Sequence, residues 1–561
     1  MNLKKSILTI LVVLLFNASK AQRVTAMMAY DSATQYRDAA DPLWDTTAPS
    51  KANLYKALSL LNKGIDYLNQ PYVFDLAQGN IYVKFRRYNI LNDEAHIYTL
   101  LNEKDSAIMT LQAMHDIGDH YYKSMENDAA FNSIRSDSSF KELIASMKQS
   151  ESLWEGYDFK TPYREDLPLS EKMAGLSLLW SQAKYNFVHF DHAGVDWNKL
   201  YLHYLTLVPQ TKSTAEYYQL LIKFYASLKD AHTNVYFPKQ LYNSFHARPP
   251  FRTELIEGRV FVTEIFSDSL EKTGIKKGLE IVSINDKPVL QYAKDSVEPY
   301  QSSSTPQDMD VRKFTYALLA GAMDAPLHIK FRNKEGKVWK QSIQRVSYTN
   351  VTGAPTIDYR EIGNIGYLQL NSFGDDHVKQ VYDSLFPKIA NTKGLVIDLR
   401  KNGGGSDDIG FHILATLTDT PYAISISKIR QYTSTSGGAD QWYSFPAAKL
   451  TPSKKMYYSK PVILLISART FSAAEDFVAD FSYMNRGKMI GQTTGGSTGM
   501  PLGFDLPGGG TARVCAKDDR FPDGKKFVGI GIKPDIFIKK TVKDLYNDND
   551  AALMKAIELL K

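Results

Sequence analysis

At 561 residues the chain is too long for one hydrophobic core and predicts three or four domains. Hydrophobic residues at 43% and charged residues at 23% describe a globular protein and exclude a disordered or fibrous one. The formal charge is +6, but residues 1–21 hold three lysines and no acid, so the remainder carries only +3. That bias is too weak to imply nucleic acid or an anionic membrane as partner.

The amino terminus reads as an export signal. Lys4-Lys5 precede an apolar run from Ile7 to Phe16, and Ser19-Lys20-Ala21 offers small residues for cleavage. The run is short for a bilayer span, so no integral membrane segment is expected after cleavage of residues 1–21. The expected destination is periplasmic or secreted, with a retained anchor as the alternative. Residues 22–155 look helical, and Ala95, Leu100, Ala107 and Leu111 have the spacing of two packed amphipathic helices broken at 102–105. The pair resembles a tetratricopeptide (TPR) hairpin. Docking of a protein partner and simple packing are equally open for it.

A second helical stretch spans residues 165–247 and ends in LKDAHT. From about Arg248 to residue 346 the pattern changes to short strands: GRVFVTEI and LEIVSINDKPV flank a polar helix, and a hairpin turns at Asn333–Gly336. Residues 347–545 alternate apolar strands (IGYLQL, GLVIDLR, PVILLIS) with helical runs, which predicts an α/β layer with a largely parallel sheet. A last helix is expected over residues 546–561.

Active sites in such layers collect where strands feed loops into helices. In PVILLISARTFSAAEDF, Ser472 stands where a helix begins, beside its first free N–H groups, a position that suits acyl transfer. Ser472 and Glu475 also spell a capping box, which would make the serine structural. In GLVIDLRKNGGGSDD, Gly403–Gly405 can bring backbone amides against a ligand or form a plain flexible turn. Asp398 and Arg400 read as a charge-assisted brace at the strand's end. His232 in LKDAHT is the candidate base, although a lone histidine is more often structural. Cys515 is the only cysteine, so an intramolecular disulfide and a cysteine-rich zinc site are both excluded. It reads as a buried strand thiol. The histidines show no HExxH pair, and no metal or other cofactor is implied.

Together, strand-DLRxNGGG, strand-SxxE-helix, the short-strand insert and the closing Gly529–Asp535 segment, GIGIKPD, resemble the C-terminal-processing (tail-specific) serine peptidases. The resemblance covers roughly residues 165–540. It implies a PDZ-like β domain at 248–346, inserted into an α/β, crotonase-like layered, serine peptidase domain. The twenty-fifth residue after Ser472, where one branch carries a catalytic lysine, is Ser497. DAHT instead resembles the DGHT of the tricorn-like branch, which implies His232 as base. The resemblance also implies the Ala473 amide and one glycine amide, here Gly404, as oxyanion donors. Two departures stand out: Ala231 precedes the histidine, and Val528 occupies a place where the branch often has a glutamate to orient it. Asp230, Glu475, Ser497 and Asp523 are the candidates for that orienting or support role.

The resulting expectation is an exported serine endopeptidase that cleaves polypeptides through an acyl-enzyme, with the PDZ-like domain assisting substrate binding. The insert lacks a glycine-rich carboxylate loop, since RPPFRTELIEG has only Gly258 at its end. Arg252 is a candidate to contact a substrate carboxylate, with a solvated arginine as the more usual alternative. The alternatives are a catalytically inactive peptide-binding or scaffold relative of the same fold, and an esterase on that scaffold.

Overall fold

The computed structural model describes residues 26–561 apart from 72, 75–79, 119–121, 155–159, 348–354, 433–440 and 446. The expected export signal lies outside the described residues. The chain divides into two compact units, Met1–Gly156 and Tyr157–Lys561.

The first unit is helical. Helices α1 (Ala26–Trp44), α2 (Lys51–Leu68), α3 (Ile81–Leu100), α4 (Lys104–Asp116) and α5 (Ser138–Trp154) pack largely on their sequence neighbours. Ser50 caps α2 through Asn53 N–H, and Asn80 caps α3 through the Tyr82 and Val83 N–H groups. The α3–α4 turn passes through Asn102 at φ 62°, a conformation that asparagine tolerates. Ala95, Ala107 and Leu111 are buried between these helices as their spacing predicts. Leu100 is not: at 55% exposure it lies on the last turn of α3, outside the shared core.

In the second unit, α6 (Leu169–Asn186), α7 (Trp197–Leu207) and α8 (Thr214–Ala226) pack around Trp197, Tyr217, Phe224 and Tyr225. They lead to β1 (Asn234–Tyr236). The short-strand region forms an antiparallel sheet in the order β2 (Phe251–Ile256), β3 (Arg259–Ile265), β4 (Glu280–Ile284), β5 (Leu327–Arg332), β6 (Val338–Ile343). Its core of Phe251, Val260, Val262, Ile281, Ile329 and Phe331 is separate from the rest.

The α/β layer carries β7 (Ile357–Ile362), β8 (Ile365–Leu370), α9 (His377–Ala390), β9 (Gly394–Asp398), α10 (Asp407–Leu414), β10 (Val462–Ile466), α11 (Ala473–Met484) and β11 (Gly487–Gly491). Two further strands, β12 (Pro501–Asp505) and β13 (Thr511–Cys515), join β1 in a three-stranded sheet ordered β1-β13-β12. The segment 165–247 is thus built into the same body as the carboxyl-terminal half, with Leu176 and Tyr218 sharing a core with Leu506 and Val514. The main sheet is completed by β14 (Ile536–Phe537) and runs β14-β11-β10-β9-β8-β7, parallel except for the β7–β8 hairpin.

Every residue of β9 and β10 is buried because both faces are covered. Helices α9, α10 and α11 pack on one face, and α12 (Ala551–Leu560) lays Ala552, Leu553 and Ala556 on the other. Among the described residues no helix is long and apolar enough to cross a membrane.

Candidate active site

Two loops leave neighbouring parallel strands at their carboxyl ends. The first follows β9. Arg400 folds back on Asp398 through Nε–Oδ1 at 2.9 Å and Nη2–Oδ2 at 2.6 Å, and also holds Asp550 at 2.8 and 2.7 Å. This brace fixes where Gly403–Gly405 begin. Gly404 has φ 95°, and a β-carbon there would stand 2.6 Å from Ser472 Cβ and 3.0 Å from Ala473 N. Only glycine permits that approach.

The second loop follows β10 and ends at Ser472, which adopts φ 58° and ψ −135°. A non-glycine residue held there stores about 1–3 kcal/mol of strain, which the surroundings must over-determine. Three contacts do so. Phe471 N–H donates to Asn402 O at 3.0 Å, Ser472 N–H donates to Ser497 O at 2.9 Å, and Ser472 O accepts from Glu475 N–H at 2.6 Å.

The capping box that the sequence permits does not form. The Ser472 hydroxyl makes no cap bond to α11. It lies instead 2.9 Å from His232 Nε2. Glu475 turns away from the helix start: Oε1 accepts from Thr494 Oγ1 at 2.5 Å and Gly496 N–H at 2.7 Å, and Oε2 accepts from Ser497 N–H at 2.7 Å. Full burial pushes its carboxyl up to about 8.

His232 is buried, and its ring stacks on Phe471 with centroids 4.8 Å apart. Nδ1 lies 2.8 Å from Ser497 Oγ. Burial, followed by the positive charges of Arg513 and Arg312, holds its pKa well below the usual histidine range, so the ring is neutral and free to accept a proton. Nδ1–H donating to Ser497 Oγ leaves Nε2 as the acceptor for the Ser472 hydroxyl. Asp230 does not touch the ring. Its Oδ1 accepts from the His232 N–H at 3.0 Å and from Thr233 Oγ1 at 2.8 Å, which fixes the histidine's backbone. Asp523 is bonded by the Lys525 N–H, and Val528 packs on the apolar core beside α11.

Of the candidates for orienting the base, the structure brings Ser497 to the ring and Glu475 behind Ser497. The Gly404 amide, expected as an oxyanion donor, has a partner within the protein. Its N–H donates to Asn402 Oδ1 at 2.9 Å and so is engaged in this state. Among the described residues the amides of Ala473, Gly403 and Gly405 have no such partner. The missing side chain of Gly404 is what permits the close approach to Ser472.

The region of short strands supplies residues that no sequence motif marks. Ser302 Oγ donates to Asp230 O at 2.6 Å, Ala231 N–H donates to Ser304 Oγ at 3.1 Å, and Thr305 Oγ1 donates to Gly495 O at 2.6 Å. The run Ser302-Ser303-Ser304-Thr305 ahead of Pro306 was the available signal: four adjacent hydroxyls, buried here, need partners. Arg252 pairs with Glu264 at 3.6 Å, which also takes Lys401 at 2.6 Å and Arg469 at 3.4 Å. It is therefore engaged within the protein. Cys515 ends β13 as a buried thiol, raised well above its usual range by burial.

A serine on a strained strand-to-helix turn, a neutral histidine bonded to it and unpartnered amides beside it form the class of centre that serine hydrolases use. Residues 364–538 match the model of Peptidase family S41, and residues 171–226 match the Tricorn protease C1 domain. Over these residues the chain is similar to the S41 serine peptidases, and the curated relatives it matches are C-terminal processing proteases.

It is 24% identical over 287 residues to carboxy-terminal processing protease CtpA of Bacillus subtilis, covering 49% of this chain and 52% of that protein. It is 25% identical over 203 residues to the chloroplastic C-terminal processing peptidase of Tetradesmus obliquus, covering 35% and 40%. The chain spans about half the length of the curated relatives it matches. In fold it is similar to mature CPAF complexed with lactacystin, with TM-score 0.57 and 16% identity over 70% of this chain and 98% of that one.

Proposed function

We propose that this protein is an exported serine endopeptidase acting on polypeptides, with Ser472 as nucleophile and His232 as general base. The observation that carries the reading is the continuous line from Ser472 Oγ to His232 Nε2 at 2.9 Å and from Nδ1 to Ser497 Oγ at 2.8 Å.

The chemistry follows from that line. As Ser472 Oγ attacks a peptide carbonyl, Nε2 takes its proton, and the ring then protonates the leaving amine. The imidazolium that forms is held through Ser497 Oγ, with the Glu475 carboxyl behind it on the Gly496 and Ser497 amides. The Ala473 N–H, together with a neighbouring amide of the triglycine, receives the oxyanion. Water attacks the acyl-enzyme by the same base. Neither Ser497 in place of a lysine nor Val528 in place of a glutamate weighs against this reading, since His232 can serve as base and Ser497 as its hydroxyl partner.

The PDZ-like sheet serves this reading by presenting β2 and β6 as edges where an extended polypeptide can add as a strand. Because Arg252 is paired with Glu264, recognition there would rest on main-chain bonds rather than on a captured terminal carboxylate. The helical amino-terminal unit is the remaining surface for a protein partner.

The test is labelling with a fluorophosphonate probe. The native protein is expected to react, Ser472→Ala to be inert, and His232→Ala to react at least about 100-fold more slowly, the usual contribution of a positioned base. Folded native protein that fails to label would refute the reading. Turnover of esters but not of peptide libraries would move it to the esterase alternative.

A further inference from the structure

Beside the catalytic histidine, but outside the line just described, three buried side chains from distant parts of the sequence converge. They are His189, Asp230 and Cys515, with relative exposures of 6%, 1% and 0%. One ligand atom from each lies within 4.8 Å of the other two. Each is incompletely satisfied. His189 Nε2 is buried with no hydrogen-bond partner. Asp230 Oδ2 has only the Ser304 hydroxyl at 3.5 Å, and among the described residues no lysine or arginine pairs with Asp230. The Cys515 thiol has only long contacts, 3.5 Å to Lys517 O and 3.8 Å to Thr498 O.

A buried carboxylate without a countercharge beside a buried imidazole nitrogen without a partner is costly unless something completes it. A hydrogen bond between them would satisfy both, yet the structure does not form one. A cavity of about 280 Å³ opens on the cluster, lined by His189 and Asp230 and also by His192, Asp518 and Lys526. Neither Ser472 nor His232 lines it, so it is not the space where the peptide reacts.

We propose that His189, Asp230 and Cys515 form a binding site for a borderline-soft divalent cation of the zinc class. One imidazole, one carboxylate and one thiolate are a donor set that suits Zn²⁺ better than the oxygen-seeking Mg²⁺ or Ca²⁺. Tetrahedral zinc bonds set ligand atoms about 3.5 Å apart, so the widest spacing here closes by about an ångström on binding. The cavity provides the way in and room for a water as fourth ligand.

Binding balances as Zn²⁺ plus the Cys515 thiol giving the zinc thiolate and one proton released to solvent. The ion has a structural consequence. Asp230 already holds the His232 and Thr233 backbone segment, and Cys515 N–H donates to Thr233 Oγ1 at 3.1 Å. A cation there pins the base-bearing loop to the end of β13 and to the start of the turn at His189.

The experiment uses untagged full-length protein, freed of metal with a chelator and then dialysed against Zn²⁺ or Co²⁺. One equivalent of Zn²⁺ is expected to be retained and to raise the thermal midpoint. Co²⁺ is expected to give a thiolate-to-cobalt charge-transfer band, which reports Cys515 alone because the chain has no other cysteine. His189→Gln and Cys515→Ser are expected to abolish retention. No retained metal, a cobalt complex without the thiolate band, or unchanged stoichiometry in a folded variant would each overturn the site. The cobalt band needs no variant, so the proposal stays testable if Cys515→Ser does not fold.

Discussion

Replacing Ser497 by alanine removes one hydroxyl from a fully buried position and leaves the rest of the line from Ser472 to Glu475 in place. The magnitude follows from what that hydroxyl does in each state. It accepts the Nδ1–H of His232 at 2.8 Å, and burial excludes water as a substitute. A neutral donor gains about 0.5–1.5 kcal/mol from such a bond and a charged one about 1.5–3 kcal/mol, so the bond tightens by roughly 1 kcal/mol as the ring becomes imidazolium. Without the acceptor, nothing selects the tautomer that leaves Nε2 bare, which adds a loss of about the same size again. The sum of about 2 kcal/mol corresponds to roughly 30-fold in rate.

The assay is the second-order rate of fluorophosphonate labelling, which needs no knowledge of the natural substrate, with unfolding followed in parallel. Once a peptide substrate is in hand, the loss should fall on kcat and leave KM nearly unchanged. A loss below about threefold would refute the orienting role of Ser497. A loss near the 10⁴-fold that accompanies removal of a carboxylate partner would refute the neutral-hydroxyl reading and assign the electrostatic work to the partner directly.

Other outcomes follow from the same geometry. Gly404→Ala drives a β-carbon to 2.6 Å from Ser472 Cβ and 2.8 Å from Phe471 O at φ 95°, and should lose labelling by more than about 100-fold. Gly403→Ala meets nothing within 4 Å and keeps its N–H, so labelling should stay within a few-fold. Glu94, only 5% exposed in α3, has its carboxyl pushed up to about 8 by burial and by Asp66 and Asp93. Folded protein therefore holds a proton that unfolded chain releases near pH 4.5, so the stability from Glu94 is full below that pH and is lost as pH rises through about 8. Hydrogen exchange in α3 and α4, corrected for intrinsic rates, should accelerate from pH 5 to 9. Glu94→Gln should flatten that rise, by up to about 4 kcal/mol in opening free energy. An identical pH profile in the variant would refute the assignment.

The sequence alone carries everything local. Alternating apolar strands and helical runs predict the α/β layer, because a strand buried on both faces must be continuously apolar, as GLVID and VILLI are. DLRKNGGG announces a braced strand end and a close backbone approach, and Ser472 at the head of α11 announces an exposed hydroxyl. The helical spacing of Ala95, Ala107 and Leu111 identifies a packed pair, although it places Leu100 in a core from which the end of α3 excludes it.

What sequence cannot decide is any question of partner. Ser472 and Glu475 spell a capping box equally well, and only the approach of the 494–497 segment draws Glu475 off the helix start. Four residues compete on paper to orient His232, and the fold brings one hydroxyl, Ser497, to Nδ1. Gly404 is the middle glycine of three, and only the Asn402 side chain determines that its amide is engaged. His189, Asp230 and Cys515 share no motif at all. Such contacts join residues far apart in the chain, and their energies are realised only after the elements of the second unit have closed on one another. Local pattern fixes which groups are available, and tertiary packing decides which of them meet.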